Sequence, residues 1–358
     1  MDLNNTALFK EIDTHSMIGH INGLPDQLAA AWELGRQLDL PDWQGIRRIV
    51  MAGMGGSAIG GDLLAAYAAP FLSIPVFIHR DYGLPAWAQG DETLVVCSSH
   101  SGNTEETISA FQMAQQLGCR TLAVTTGGRL AELSQKKDAA LWQFEYDGQP
   151  RAAAGYSFGL LLALVSRLGF IPDPEDELKA TVKAMKAQQE TLLPAVPDIE
   201  NSSKRMAGQF MGRWVTIFGA GIMAPVARRW KTQLNEIAKA QAAFELLPEA
   251  DHNTIQGVLQ PEEQFGRSMA IFLRSPHNHP RNSLRDEFSR VTLMVEGINT
   301  DFILAQGGGR LADMWTALHY GDYTAYYLAM AYGLDPTPVP MLEELKAKMA
   351  DAKENSGD

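Results

Sequence analysis

The chain has 358 residues, 46% of them hydrophobic, with a formal net charge of −12 at pH 7 and a pI near 5.2. That length can bury two α/β cores or one large one. The acidic balance, with no Lys/Arg-rich stretch, speaks against a nucleic-acid surface and for a small substrate.

The only cysteines, Cys97 and Cys119, lack metal-ligand spacing and read as reduced core thiols of a cytosolic protein. The opening, MDLNNTALFKEIDTHSM, lacks the basic and apolar regions of a signal peptide, and no apolar run reaches membrane-spanning length. A soluble, cytoplasmic protein without membrane or nucleic-acid partners is expected.

In residues 1–44 the apolar positions Met17, Ile18, Ile21, Leu24, Leu28, Ala31, Trp32 and Leu38 recur at near-helical spacing, which predicts a helical arm. Ile46 to Ala52 reads as a buried strand feeding a glycine-rich turn, Gly53, Met54, Gly55, Gly56, Ser57, and then an Ala/Leu-rich helix to about Ala69. The turn formally satisfies the G-x-G-x-x-A pattern of dinucleotide sites. Asp81, after the short strand Val76 to His79, lies further on than the usual ribose-binding carboxylate.

A five-residue run, Thr93 to Cys97, predicts a fully buried parallel strand. It stops at Ser98, Ser99, His100, Ser101, Gly102, Asn103 and Thr104, and an amphipathic helix opens with Glu105 and Glu106 and runs to Leu117. Asn103 or Thr104 suits the N-cap, and the glutamates suit a positive helix end. Hydroxyls and free amides at a helix N-terminus make a phosphate cradle that needs no lysine; read without context, the same residues also describe an ordinary serine-rich turn. Together with the glycine turn, this loop is expected at the C-terminal edge of a parallel sheet, where ligands of open α/β folds bind.

Leu122 to Thr125 and Leu141 to Tyr146 complete the first set of strands, and an apolar helix runs from about Tyr156 to Gly169. Arg151, before that helix, can pair bidentately with a phosphate or sugar hydroxyl, or can be a surface arginine beside a proline. PDPEDE, Pro172 to Glu177, is the clearest linker. The expected division is therefore a helical arm over 1–44, a first unit over 45–170 and a second over 171–358.

The second unit repeats the first: helices at Leu178 to Leu193 and Ile199 to Met211, a strand Trp214 to Phe218, a turn Gly219, Ala220, Gly221, and a long helix Ala224 to Glu245. Further strands are expected at Ser268 to Leu273, Leu293 to Val295 and Phe302 to Leu304, with final helices from about Leu311 to Tyr332 and Pro340 to Lys348. The long helix carries Lys231, Asn235, Glu236 and Lys239. In its apolar setting Glu236 is either a partly buried base with a raised pKa or a solvated helix glutamate. His252, between Asp251 and Asn253, can move protons or lie in an exposed loop. HNHP, His277 to Pro280, lacks neighbouring carboxylates or cysteines and reads as a turn, not a metal site.

Taken in order, GMGGSAIGGD from Gly53, SSHSGNTEET from Ser98, PRAAAGYSFG from Pro150, NE from Asn235, HN from His252 and DPTPVP from Asp335 resemble the bifunctional phosphoglucose/phosphomannose isomerases, which are built from two sugar isomerase (SIS) domains. The resemblance implies two α-β-α sandwiches, each a parallel sheet flanked by helices. It implies that Gly56 and Ser57 line the sugar site, and that Ser99, Ser101 and Thr104 hold the phosphate. Arg151 would stabilise the enediolate and Glu236 would transfer the proton. His252, reached from a neighbouring subunit of a homodimer, would open the ring with Lys346, for which Lys348 is an alternative. No cofactor or metal is called for. The competing readings are a non-catalytic phosphosugar sensor, another SIS isomerase, and an NAD-dependent dehydrogenase resting on the GMGGSA turn alone.

Overall fold

A computed structural model describes residues 2–356. The arm is three short helices, α1 (Thr6–Ile12), α2 (Met17–Asn22) and α3 (Leu24–Gln37). The Asp13 carboxylate accepts from the amides of Met17 and Ile18 at 2.7 and 3.0 Å, fixing the entry to α2. The chain then enters β1 (Arg48–Ala52), α4 (Gly55–Ala68), β2 (Val76–His79), β3 (Thr93–Ser98), α5 (Glu105–Gln116), β4 (Arg120–Thr125), α6 (Gly128–Lys136) and β5 (Ala140–Gln143). These strands form one parallel sheet in the order β2-β1-β3-β4-β5. Every residue of β3 is buried, as its unbroken apolar run requires when helices cover both faces.

A 3₁₀ turn, Pro150–Ala152, leads into α7 (Ala154–Arg167), followed by α8 (Glu175–Gln189) and α9 (Ser202–Phe210). The second half builds β6 (Trp214–Ala220), α10 (Ala224–Glu236), β7 (Ala242–Leu247), β8 (Ser268–Arg274), α11 (Pro280–Val295) and β9 (Asn299–Leu304). These strands make a second parallel sheet, β7-β6-β8-β9. Its order matches β2-β1-β3-β4 of the first. The duplication extends to the backbone of the opening turns: Met54 and Ala220 have φ/ψ of −125°/155° and −129°/151°. Gly55 and Gly221 follow at φ 49° and 53°.

The last helices are α12 (Arg310–Tyr332) and α13 (Pro340–Ser356). Helix α12 is buried from Leu311 to Ala331, packed against α2, α8, α9 and α10. It is buried on every side because neighbours surround it, and its buried polar side chains include Asp313, His319 and Asp322. No helix of the described residues is long and apolar enough to cross a membrane.

Three sequence expectations are corrected. Leu293 to Val295 is not a strand but the last turn of α11. The long helix does not reach Glu245; it ends at Glu236, the chain turns at Lys239 with φ 55°, and Ala242–Leu247 becomes an edge strand. No glycine or proline marks this break, because a lysine occupies the left-handed position that glycine usually fills. The predicted end strand Leu141 to Tyr146 is shorter and earlier, at Ala140–Gln143.

Candidate active site

The glycine turn, the Arg151 turn and the end of α10 meet at a cavity of about 210 Å³. Gly56 makes the approach possible: a Cβ there would stand 2.5 Å from the Pro150 carbonyl oxygen and 3.1 Å from the Arg151 amide. From the arm, Gln27 secures the same turn, donating to the Ala152 carbonyl at 3.0 Å and accepting from the Gly155 amide at 2.7 Å.

Arg151 is only 3% exposed. Its Nη1 lies 3.8 Å from Glu236 Oε2. Its Nη2 donates to the carbonyls of Pro336, at 3.0 Å, and Thr337. Burial, partly offset by Glu236, holds its pKa below the ordinary arginine value, yet a guanidinium remains charged at physiological pH. The backbone it grips is itself well fixed. Gly333 caps α12 in the left-handed region, the Asp335 carboxylate accepts from the Thr337 amide at 2.9 Å, and Thr14 of the arm donates to the same carboxylate at 2.8 Å.

Three arginines beyond the sequence reading, Arg80, Arg228 and Arg229, line this cavity together with Lys231 of the long helix. Asp62 pairs with Arg80 and stands 3.6 Å from Arg228, while Arg229 is locked to Asp322 of α12 by two buried bonds at 2.8 and 3.2 Å. A local excess of positive charge in a chain of net charge −12 favours an anionic ligand. The visible signal was RRWK, residues 228–231, in an otherwise acidic chain.

The serine loop is coupled to the cavity through Ser57, whose Oγ accepts from the His100 amide at 3.1 Å. Ser99, 1% exposed, shares a hydrogen bond of 3.0 Å with the Thr104 hydroxyl. Thr104 therefore N-caps α5 by position without a side-chain bond to the first-turn amides, at the positive end of the helix. Ser101 Oγ is exposed and accepts from the Asn103 amide at 3.2 Å. Gly102 has φ 67°, and a Cβ there would run into the Gly127 carbonyl, so the loop can close on residues 125–128 only with glycine at this point. Thr126 donates to the His100 carbonyl at 2.7 Å and completes that contact. His100 itself packs edge-on against Phe144 and Tyr146, and burial lowers its pKa.

The fold thus brings Gly56, Arg151 and Glu236 into one cavity, with Ser57, Ser99, Ser101 and Thr104 on the adjoining loop system. It does not bring His252 or Lys346 to them within one chain. His252 is exposed on the 3₁₀ turn after β7, and Lys346 is exposed on α13; neither lines the cavity.

Comparison with known proteins agrees with this architecture. A solved structure of a hypothetical protein from Thermus thermophilus superposes with a TM-score of 0.74 at 18% identity, covering 98% of this chain and 93% of that one. Residues 199–349 match the model of the bacterial phospho-glucose isomerase C-terminal SIS domain. The second unit is therefore a SIS-type domain, and the first repeats the order of its parallel strands. At the level of whole sequences, the bifunctional phosphoglucose/phosphomannose isomerase of Caldicellulosiruptor bescii is 38% identical over 94% of this chain and 100% of its own length. That of Aquifex aeolicus is 31% identical over 87% and 92%. The chain belongs to the bifunctional phosphoglucose/phosphomannose isomerase family.

Proposed function

We propose that this protein interconverts glucose 6-phosphate, mannose 6-phosphate and fructose 6-phosphate through a common cis-enediol. The observation that carries the proposal is the pairing of a partly exposed carboxylate, Glu236, with a buried guanidinium, Arg151, in a cationic cavity beside a hydroxyl-rich helix N-terminus.

The chemistry follows from the substrate. Once the ring is open, C2 carries a proton made acidic by the neighbouring C1 aldehyde. Glu236 takes that proton, the electron pair forms the C1–C2 double bond, and the carbonyl oxygen becomes an enediolate stabilised by Arg151. A proton then passes from the C2 hydroxyl to the C1 oxygen, and return of the carbon-bound proton from Glu236 to C1, with the C2 oxygen becoming the carbonyl, gives the ketose. The carboxylate is regenerated, and no electrons are gained or lost overall. The phosphate, remote from the reacting carbons, is held by Ser99, Ser101, Thr104 and the first amides of α5, so that binding energy orients C2 against the base. Gly56 and Ser57 line the sugar side.

Ring opening is assigned to His252 and Lys346 acting across a homodimer. Both are exposed in the single chain. Asp251 accepts from Arg285 and Ser289 at 2.9 and 2.7 Å, which fixes the histidine's turn on α11. Leu284 and Phe288 expose 48% and 68% of their surface beside it, an apolar patch that a second subunit would cover. On this reading the chain divides into the arm over 1–44 and SIS units over 45–170 and 171–358, and works as a soluble cytoplasmic enzyme.

Replacing Ser101 and Thr104 together with alanine is expected to raise KM for glucose 6-phosphate by at least about tenfold, through loss of two hydroxyl partners of a charged phosphate. Competition by inorganic phosphate should weaken in parallel. Undiminished inhibition by phosphate in the double variant would place the phosphate elsewhere.

A further inference from the structure

Lys239 is an exposed residue whose ammonium group is nonetheless fully engaged. Its Nζ donates to the carbonyl of Glu236 at 2.7 Å, of Ile237 at 3.3 Å and of Pro336 at 3.1 Å. The first two belong to the open carbonyl end of α10, where a cation is favoured. The third carbonyl is the one that accepts from Arg151 Nη2 at 3.0 Å. A single backbone oxygen is thus shared between Lys239 and Arg151. The lysine backbone has φ 55°, an unfavourable region for a long side chain, although asparagine or glycine would adopt it at lower cost.

We infer that Lys239 is a positioning residue of the isomerisation site, clasping the end of α10 to the 335–339 connection and so setting the Glu236 carboxylate against the Arg151 guanidinium. The inference rests on the assignment of Glu236 and Arg151 as base and enediolate partner. Three ammonium protons match three carbonyl oxygens. A neutral amine has only two protons and turns a lone pair toward a carbonyl, so the clasp needs the charged form.

That charge is lost within reach of working pH. Partial desolvation of the ammonium, followed by repulsion from Arg151, lowers the Lys239 pKa to about 8. The groups that face it are Arg151 from the 150–152 turn, and Glu236 and Asp335, which oppose the shift. Asp335 in turn lies 3.8 Å from His15 of the arm. Below about pH 8 the lysine is charged and the clasp closed; above it the amine is neutral and the carboxylate loses its fixed position. A displacement on the order of 1 Å at a catalytic group costs about a hundredfold in rate.

The test compares Lys239→Asn, Lys239→Arg and Glu236→Gln by steady-state kinetics with glucose 6-phosphate and by thermal unfolding. Lys239→Asn suits the left-handed backbone, so its Tm is expected at or above that of the unchanged protein. Its kcat is expected to fall about ten- to a hundredfold with KM within about threefold, since positioning acts in the transition state. Lys239→Arg keeps the charge at every accessible pH and is expected to recover most of kcat. It should also displace the alkaline limb of kcat/KM, expected near pH 8 in the unchanged protein, to higher pH. Unchanged kcat in Lys239→Asn, or an alkaline limb that stays near pH 8 in Lys239→Arg, would overturn the inference. If Glu236→Gln is inactive while Lys239→Asn is normal, the lysine role alone fails. Normal turnover in Glu236→Gln removes the base assignment on which it stands.

Discussion

Glu236→Gln is expected to lower kcat by about a thousandfold or more while leaving KM within a small factor. The amide keeps the shape of the side chain but cannot accept the C2 proton, and general-base catalysis by a positioned carboxylate is worth about 10² to 10⁴ in rate. The side chain is 27% exposed at the cavity wall, and its contact with Arg151 is 3.8 Å, looser than a direct hydrogen bond. The structural cost of the change is therefore small, and the loss should fall on kcat, as it does when an interaction is made only in the transition state. Turnover within about tenfold of the unchanged protein would mean that another group carries the proton.

Arg151→Lys is expected to reduce kcat/KM by about 10² to 10³, the size of effect seen when a single oxyanion donor is removed. The substitution keeps a positive charge and so isolates geometry. Arg151 must grip the Pro336 and Thr337 carbonyls and face Glu236 at the same time, which a planar fork of five N–H donors allows and a single ammonium does not. Because Arg151 is buried, some loss of stability should accompany the change, and a melting curve measured alongside separates that part. A lysine variant with kcat/KM near the original would reduce the residue to a point charge.

Much of the architecture was legible because local rules and tertiary packing agree there. The run Thr93 to Cys97 is buried throughout, as an apolar strand ended by a polar loop must be in a parallel sheet, and the glycine turn at Gly53 to Gly56 and its copy at Gly219 to Gly221 are both found at strand-to-helix junctions. The duplication, inferred from one matched element, extends to four strands in the same spatial order. The failures have separate causes. Leu293 to Val295 reads as a strand by composition, but its helix starts well upstream at Pro280 and the last turn inherits that conformation. Strand β7 was hidden because the turn before it uses Lys239 in a left-handed conformation, which no composition rule flags.

The site divides in the same way. The serine loop lies in one unbroken stretch, Ser98 to Thr104, and so stands out in the sequence. The meeting of Arg151 with Glu236 joins positions far apart in the chain through Gly56, Gln27 and the carbonyls of Pro336 and Thr337, none of which has a local signature. The family resemblance implied a role for each residue separately, and the structure sets the two on one cavity. The arginines of α10 came only with the structure. A helix pattern shows which residues share a face, not which cavity that face meets.

The most direct test of the central claim is a coupled assay of the purified protein for fructose 6-phosphate formed from glucose 6-phosphate and, separately, from mannose 6-phosphate. The two substrates differ only at C2, which becomes planar when its proton leaves, so both lead to one enediol. Delivery of either proton to Glu236 requires only rotation about the C2–C3 bond while the phosphate stays in the serine loop, and the small residues Gly56 and Ser57 leave room for it. With few means to reject an epimer that fits, the site should give kcat/KM values for the two within about a hundredfold of each other. Ready conversion of glucose 6-phosphate by a protein that binds mannose 6-phosphate but never yields fructose 6-phosphate from it would contradict the account and leave an isomerase of the glucose epimer alone.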